Sequence, residues 1–159
     1  MTLFGNKQEA NLKSSAKMVE TIIRELNLDP GETRMQWPGA TYAWGLMKGS
    51  AEVHVSLRNQ DGNNFIRVWA YLSTLPADPG NQMRLFRHLL EANENEIAGA
   101  AFGIAQDKVV LVTERSTLDL DLSEVRDMVK RMGHYADYYD DVLVTEFGGT
   151  RYCDINRVV

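Results

Sequence analysis

The sequence predicts an α+β fold of element order α-β-β-β-α-β-β-α, and three observations carry that expectation. Apolar residues repeat at helical spacing in three stretches, they alternate at a period of two in the segments between, and turn-forming residues punctuate the boundaries. Leu12, Ala16, Val19, Ile23 and Leu26 recur at steps of three and four, one stripe of a helix from about Gln8 to Asn27. Asp29-Pro30-Gly31 is expected to end it, because proline breaks the hydrogen-bond ladder and glycine accepts a reversed backbone. Glu32 to Trp37 reads equally as a short strand or as loop before Pro38-Gly39.

Strands follow. Tyr42, Trp44 and Leu46 alternate with Ala43, Gly45 and Met47; Ala51, Val53, Val55 and Leu57 alternate with Glu52, His54, Ser56 and Arg58. Asp61-Gly62-Asn63-Asn64 supplies residues that tolerate the positive φ of a tight hairpin, and Phe65 to Leu72 returns as the next strand. After the break at Pro76 to Gly80, Met83, Phe86, Leu89, Leu90 and Ala92 predict a second helix. Gly99 to Ala105 and Lys108 to Ser116 read as a hairpin closed by Gln106-Asp107. Asp121 with Glu124 forms a capping-box pattern, Val125, Met128, Val129, Met132, Ala136, Tyr139 and Leu143 trace the last helix, and Gly148-Gly149 marks its end. No repeat, linker or low-complexity tract divides the chain, so one domain over residues 1–159 is expected.

Two of these stretches, Gly49 to Arg58 and Gly99 to Leu111, resemble the YbjN-domain proteins, which are similar in fold to type III secretion chaperones. The second is the more specific, a strand of small residues leading through a polar turn into an aliphatic strand. The resemblance spans nearly the whole chain through its element order. It implies an antiparallel sheet with helices packed on one face, a tendency to dimerise, and a role in binding other proteins or in regulation.

Composition narrows the function classes. Apolar and charged fractions of 44% and 25% suit a soluble globular chain, apolar stretches such as Ile97 to Gln106 are too short to span a bilayer, and the start of the chain has no apolar targeting segment. A cytoplasmic protein without membrane contact is expected. A net charge of −5 works against a nucleic-acid partner, and the single cysteine, Cys153, has no second thiol for a disulfide or a zinc site.

Chemistry is sparse. His134, Asp137 and Asp141 fall at i, i+3 and i+7 on the last helix, where nitrogen and carboxylate ligands could meet a metal or perform acid/base work. The competing reading is a solvated acidic face, since a closed metal site needs ligands from a second element. His54, His88 and His134 share no motif, Asn59 to Asn64 lacks calcium-ligand spacing, and no glycine-rich nucleotide loop is present. No catalytic residue, metal or cofactor is therefore expected.

Strand parity offers a better candidate. If Val53, Val55 and Leu57 face the helices together with Ile66, Val68, Ala70 and Leu72, then Phe65, Arg67, Trp69 and Tyr71 point the other way, beside Trp44 and Tyr42. Tryptophan, tyrosine and arginine are the residues most enriched at protein contacts. Trp44, Phe65, Arg67, Trp69 and Tyr71 are thus the expected contact residues for a protein partner, a peptide segment or a second copy in a homodimer. Coverage by the chain's own C-terminal segment is the alternative. The expected function is non-enzymatic protein binding, chaperone-like or regulatory, with a structural subunit of a larger assembly as a further possibility.

Overall fold

The computed structural model describes residues 3–155, with side chains from residue 7. Its elements are α1 (Leu3–Glu25), β1 (Tyr42–Lys48), β2 (Ala51–Gln60), β3 (Asn63–Thr74), α2 (Pro79–Asn95), β4 (Ala101–Ala105), β5 (Lys108–Ser116), α3 (Leu122–Phe147) and the short α4 (Tyr152–Ile155). The five strands form an antiparallel sheet of order β1-β2-β3-β5-β4 with helices packed on one face, the expected α+β class. Among the described residues, no helix is long and apolar enough to cross a membrane. The contacts group into two units. The first holds residues up to Leu46, His54–Val68 and Glu114–Lys130; the second holds Met47–Val53, Trp69–Thr113 and the chain from Arg131 onward.

In the first unit, α1 buries Leu12, Ala16, Val19, Ile22 and Ile23. Leu26, expected on this stripe, is exposed, because the helix has already ended. Asn27 takes a left-handed backbone (φ 60°), the Leu28 N–H bonds to the Ile23 carbonyl, and the Asn27 N–H bonds to the Arg24 carbonyl. This Schellman cap stops α1 before Asp29-Pro30-Gly31. Asp61 (φ 50°) and Gly62 (φ 80°) close the β2–β3 hairpin in two residues. Next to the turn, buried Asn64 donates to the Gln8 carbonyl (2.8 Å) and to Asn11 Oδ1 (2.9 Å), so its polar side chain is satisfied. The capping box at α3 forms as expected: the Glu124 N–H reaches Asp121 Oδ1 at 2.9 Å and the Asp121 N–H reaches Glu124 Oε2 at 3.0 Å. Thr33–Met35, left open between strand and loop, makes one bridge, Arg34 opposite Trp44, with two main-chain bonds to Ala43 and Gly45.

In the second unit, Asp78 caps α2 by accepting from the Asn81 N–H at 2.8 Å, and Pro79 occupies the first turn, where no amide donor is missed. α2 buries Leu85, Leu89 and Ala92, whereas Met83 and Leu90, both among the apolar residues that predict this helix, are each 70% exposed. β4 and β5 pair from Ala101 opposite Val112 to Ala105 opposite Lys108, around Gln106 in the left-handed region (φ 58°). α3 ends at Gly148 and Gly149 (φ 87° and 94°). A Cβ on Gly149 would sit 2.5 Å from the Thr74 carbonyl oxygen, so this reversal needs glycine on two counts. The chain then runs beside the end of β3, with the Thr74 N–H donating to the Thr150 carbonyl (2.9 Å) and a bridge between Ser73 and Arg151.

Candidate functional site

The acidic helix face does not assemble a metal centre. Asp137 accepts from the Ser50 N–H at 3.1 Å, Asp140 accepts from the Ser50 hydroxyl at 2.6 Å, and Asp141 accepts from Arg151 at 2.7 Å, while His134 is exposed. Each carboxylate thus has a structural duty, two of them fastening the β1–β2 turn to α3. Among the described residues no group of three His, Cys, Asp or Glu side chains could hold a metal ion. Helical spacing aligned His134, Asp137 and Asp141, but no ligand from a second element joins them. Cys153, in α4, is half-buried, and burial pushes its thiol pKa up, which favours the protonated form.

On the sheet, parity in the first half of β3 is as expected: Ile66 and Val68 are fully buried, while Phe65 and Arg67 reach the opposite surface. There the Arg58 guanidinium lies 5.9 Å from the Phe65 ring centre, and its Nη2 donates to both Glu114 carboxylate oxygens, at 2.9 and 3.0 Å, with Arg67 3.8 Å from the same carboxylate. One anion on β5 therefore draws in two cations, from β2 and β3, and the Arg58 cation lies beside an aromatic ring. Further along the first unit, the Arg34 guanidinium covers both the Tyr42 and Trp44 rings, 4.7 Å from each centre, and the Trp37 ring lies 5.8 Å from that of His54. His54 and Ser56, on the face expected to be polar and open, are buried. The segment between α1 and β1 supplies Trp37 as the cover for His54, a long-range contact with no local signature.

In the second unit, Trp69 is buried and Tyr71 is half-buried, its ring 5.1 Å from that of Tyr152 in α4. Arg151 anchors this C-terminal turn through Asp141 and through Asp154 (2.8 Å). Of the five expected contact residues, Phe65, Arg67 and Tyr71 therefore reach the surface, and Trp44 and Trp69 do not. Phe65 and Arg67 are joined through Arg58 and Glu114; Tyr71 has an internal partner in Tyr152. Sequence reasoning missed Glu114, Arg34 and Tyr152. A legible signal existed for Glu114, which follows Val110 and Val112 at a period of two on β5 and is the charged member of that face.

Comparison with known proteins gives this face its context. No curated protein matches the chain. A chain of the HopA1-SchA chaperone–effector complex is similar in structure with a TM-score of 0.56 at 11% identity, covering 84% of this chain and 97% of its own. A chain of the ExsC-ExsE complex matches with a TM-score of 0.54 at 14% identity, covering 82% and 94%. A chain of the heterodimeric ExoU-SpcU complex, from the type III secretion system of Pseudomonas aeruginosa, matches with a TM-score of 0.50 at 15% identity, covering 80% and 96%. At these identities the likeness speaks for the fold. Family membership rests on sequence: residues 39–155, from just before β1 through α4, match TY-Chap1, described as "T3SS (YopN, CesT) and YbjN peptide-binding chaperone 1". Chaperones of this kind are not enzymes. The resemblance seen in Gly49 to Arg58 and Gly99 to Leu111 is thus a family relationship, and the chain belongs to the peptide-binding chaperones of the type III secretion and YbjN group.

Proposed function

We propose that this protein is a cytoplasmic chaperone, working as a homodimer, that holds an extended segment of a partner protein against the surface carrying Phe65 and Arg67. The observation that carries the reading is the Arg58–Phe65–Arg67–Glu114 cluster, within the stretch that matches the peptide-binding family. An apolar side chain of the segment would cover the half-buried Phe65 ring, and its carboxylates would compete with Glu114 for the two guanidinium groups. Most of the affinity would come from apolar burial, at roughly 25 cal/mol per Å². Trp44 and Trp69 are buried and so do not touch the segment.

The test begins with proteins that copurify from cell extract, tiled as peptides and ranked by fluorescence anisotropy. Phe65→Ala and Arg67→Glu are expected to weaken the tightest peptide about tenfold each, a loss of roughly 1.4 kcal/mol, with melting temperature unchanged. Wild-type affinity in both variants would remove this surface from the proposal. Trp69→Ala is the wrong probe, because deleting a buried indole unsettles the fold itself.

A further inference from the structure

We propose that Asn93, near the end of α2, closes the free edge of the sheet against the addition of another strand. β4 is the last strand in the sheet order and pairs with β5 on one side only. An edge strand turns the N–H and C=O of every second residue away from its neighbour, a template for any passing strand. Phe102 is such a residue. Its N–H donates to Asn93 Oδ1 at 2.7 Å, and its C=O accepts from Asn93 Nδ2 at 3.2 Å. One carboxamide thus makes the two bonds that a residue of an incoming antiparallel strand would make.

The chemistry of β4 explains why a guard is needed. Ala101-Phe102-Gly103-Ile104-Ala105 carries no charge and no proline, the usual deterrents on an edge. Ile104, two residues beyond Phe102 and turned the same way, leaves its side chain 43% exposed. Phe102 itself is held in place, its buried ring edge-on to Tyr139 at 4.9 Å, so its main-chain groups stay where the amide can meet them. Asparagine is the residue for the task, since a carboxamide of this reach both donates and accepts, whereas a carboxylate only accepts. The strand being refused is β4 of a second copy, which presents the same uncharged residues antiparallel to its own.

The test uses the full chain and does not depend on which peptide the protein binds. Asn93→Leu is expected to speed amide exchange at Phe102 about tenfold and to produce assemblies larger than wild type in sedimentation velocity. Adding Ile104→Lys to that variant is expected to restore the wild-type mass, because a charge now sits on the exposed edge. Wild-type mass and exchange in Asn93→Leu, or assemblies that persist with Ile104→Lys, would overturn the proposal. If Asn93→Leu does not fold, Asn93→Ala decides: it removes both the acceptor for the Phe102 N–H and the donor to its carbonyl without adding bulk or charge, and wild-type mass with wild-type exchange in that variant would equally overturn the idea.

Discussion

At the scale of single residues, Asp140 shows how burial rewrites what a side chain does. It is 2% exposed, and burial raises its pKa; the Ser50 hydroxyl bonded to Oδ2 works in the opposite direction, nearby Asp141 adds to the rise and Arg151 opposes it. A carboxyl whose folded pKa is raised favours the fold when protonated. Its contribution is complete below the ordinary aspartate range and is lost as pH rises through the folded value. Asp140→Asn is therefore expected to stabilise the protein at neutral pH, on the order of 1 kcal/mol, and to change nothing at a pH below the ordinary aspartate value. Urea denaturation at the two pH values checks this, and a destabilised variant at neutral pH would show that the charged form is the one the fold wants. The position was legible in part: Asp140 lies four residues after Ala136 and one after Tyr139, both on the apolar stripe of α3. The dense run of acids and tyrosines hid that spacing behind the look of a solvated face.

At the scale of elements, local chemistry governs the ends and long-range packing governs the faces. The Asp121–Glu124 capping box was readable because it needs only residues three apart, and the structure forms both of its bonds. Asp121→Ala is expected to cost about 1 kcal/mol of stability, measured as a lower denaturation midpoint at unchanged slope. The stripe of α2 was not readable in the same way. Met83, Phe86 and Leu90 form one apolar line at steps of three and four, and Leu85, Leu89 and Ala92 form another. Periodicity finds both equally, and only the neighbours of the helix decide that the second is buried and the first faces water. α1 shows the complementary case, where Asn27 ends the helix earlier than the proline and glycine beyond it.

At the scale of the whole molecule, the exposed line on α2 bears on assembly. Met83 and Leu90 are both 70% exposed on α2, and in the homodimer of the proposed function a self-complementary contact with a second copy would cover both. Sedimentation equilibrium is expected to give twice the 18.0 kDa of one chain, and Leu90→Glu is expected to return the single-chain mass with the far-ultraviolet dichroism unchanged. A wild-type protein that sediments as one chain would end the dimeric part of the proposed function and leave its peptide-binding part standing.

What the sequence determined by itself was the order of elements, the two-residue hairpin at Asp61-Gly62, the cap at Asp121 and the glycine reversal at Gly148-Gly149. These depend on backbone sterics and hydrogen bonds within a few residues, which composition and spacing encode directly. Parity along β3 was encoded too, since a strand must send alternate side chains to opposite faces. Tertiary structure alone decided which outward aromatics stay at the surface. Trp44 lies under Arg34, His54 under Trp37, and Tyr71 beside Tyr152, while Phe65 remains half open next to Arg58. The reason is that burial is a property of what arrives from elsewhere in the chain, and side chains tens of residues apart leave no mark on the local pattern that brings them together.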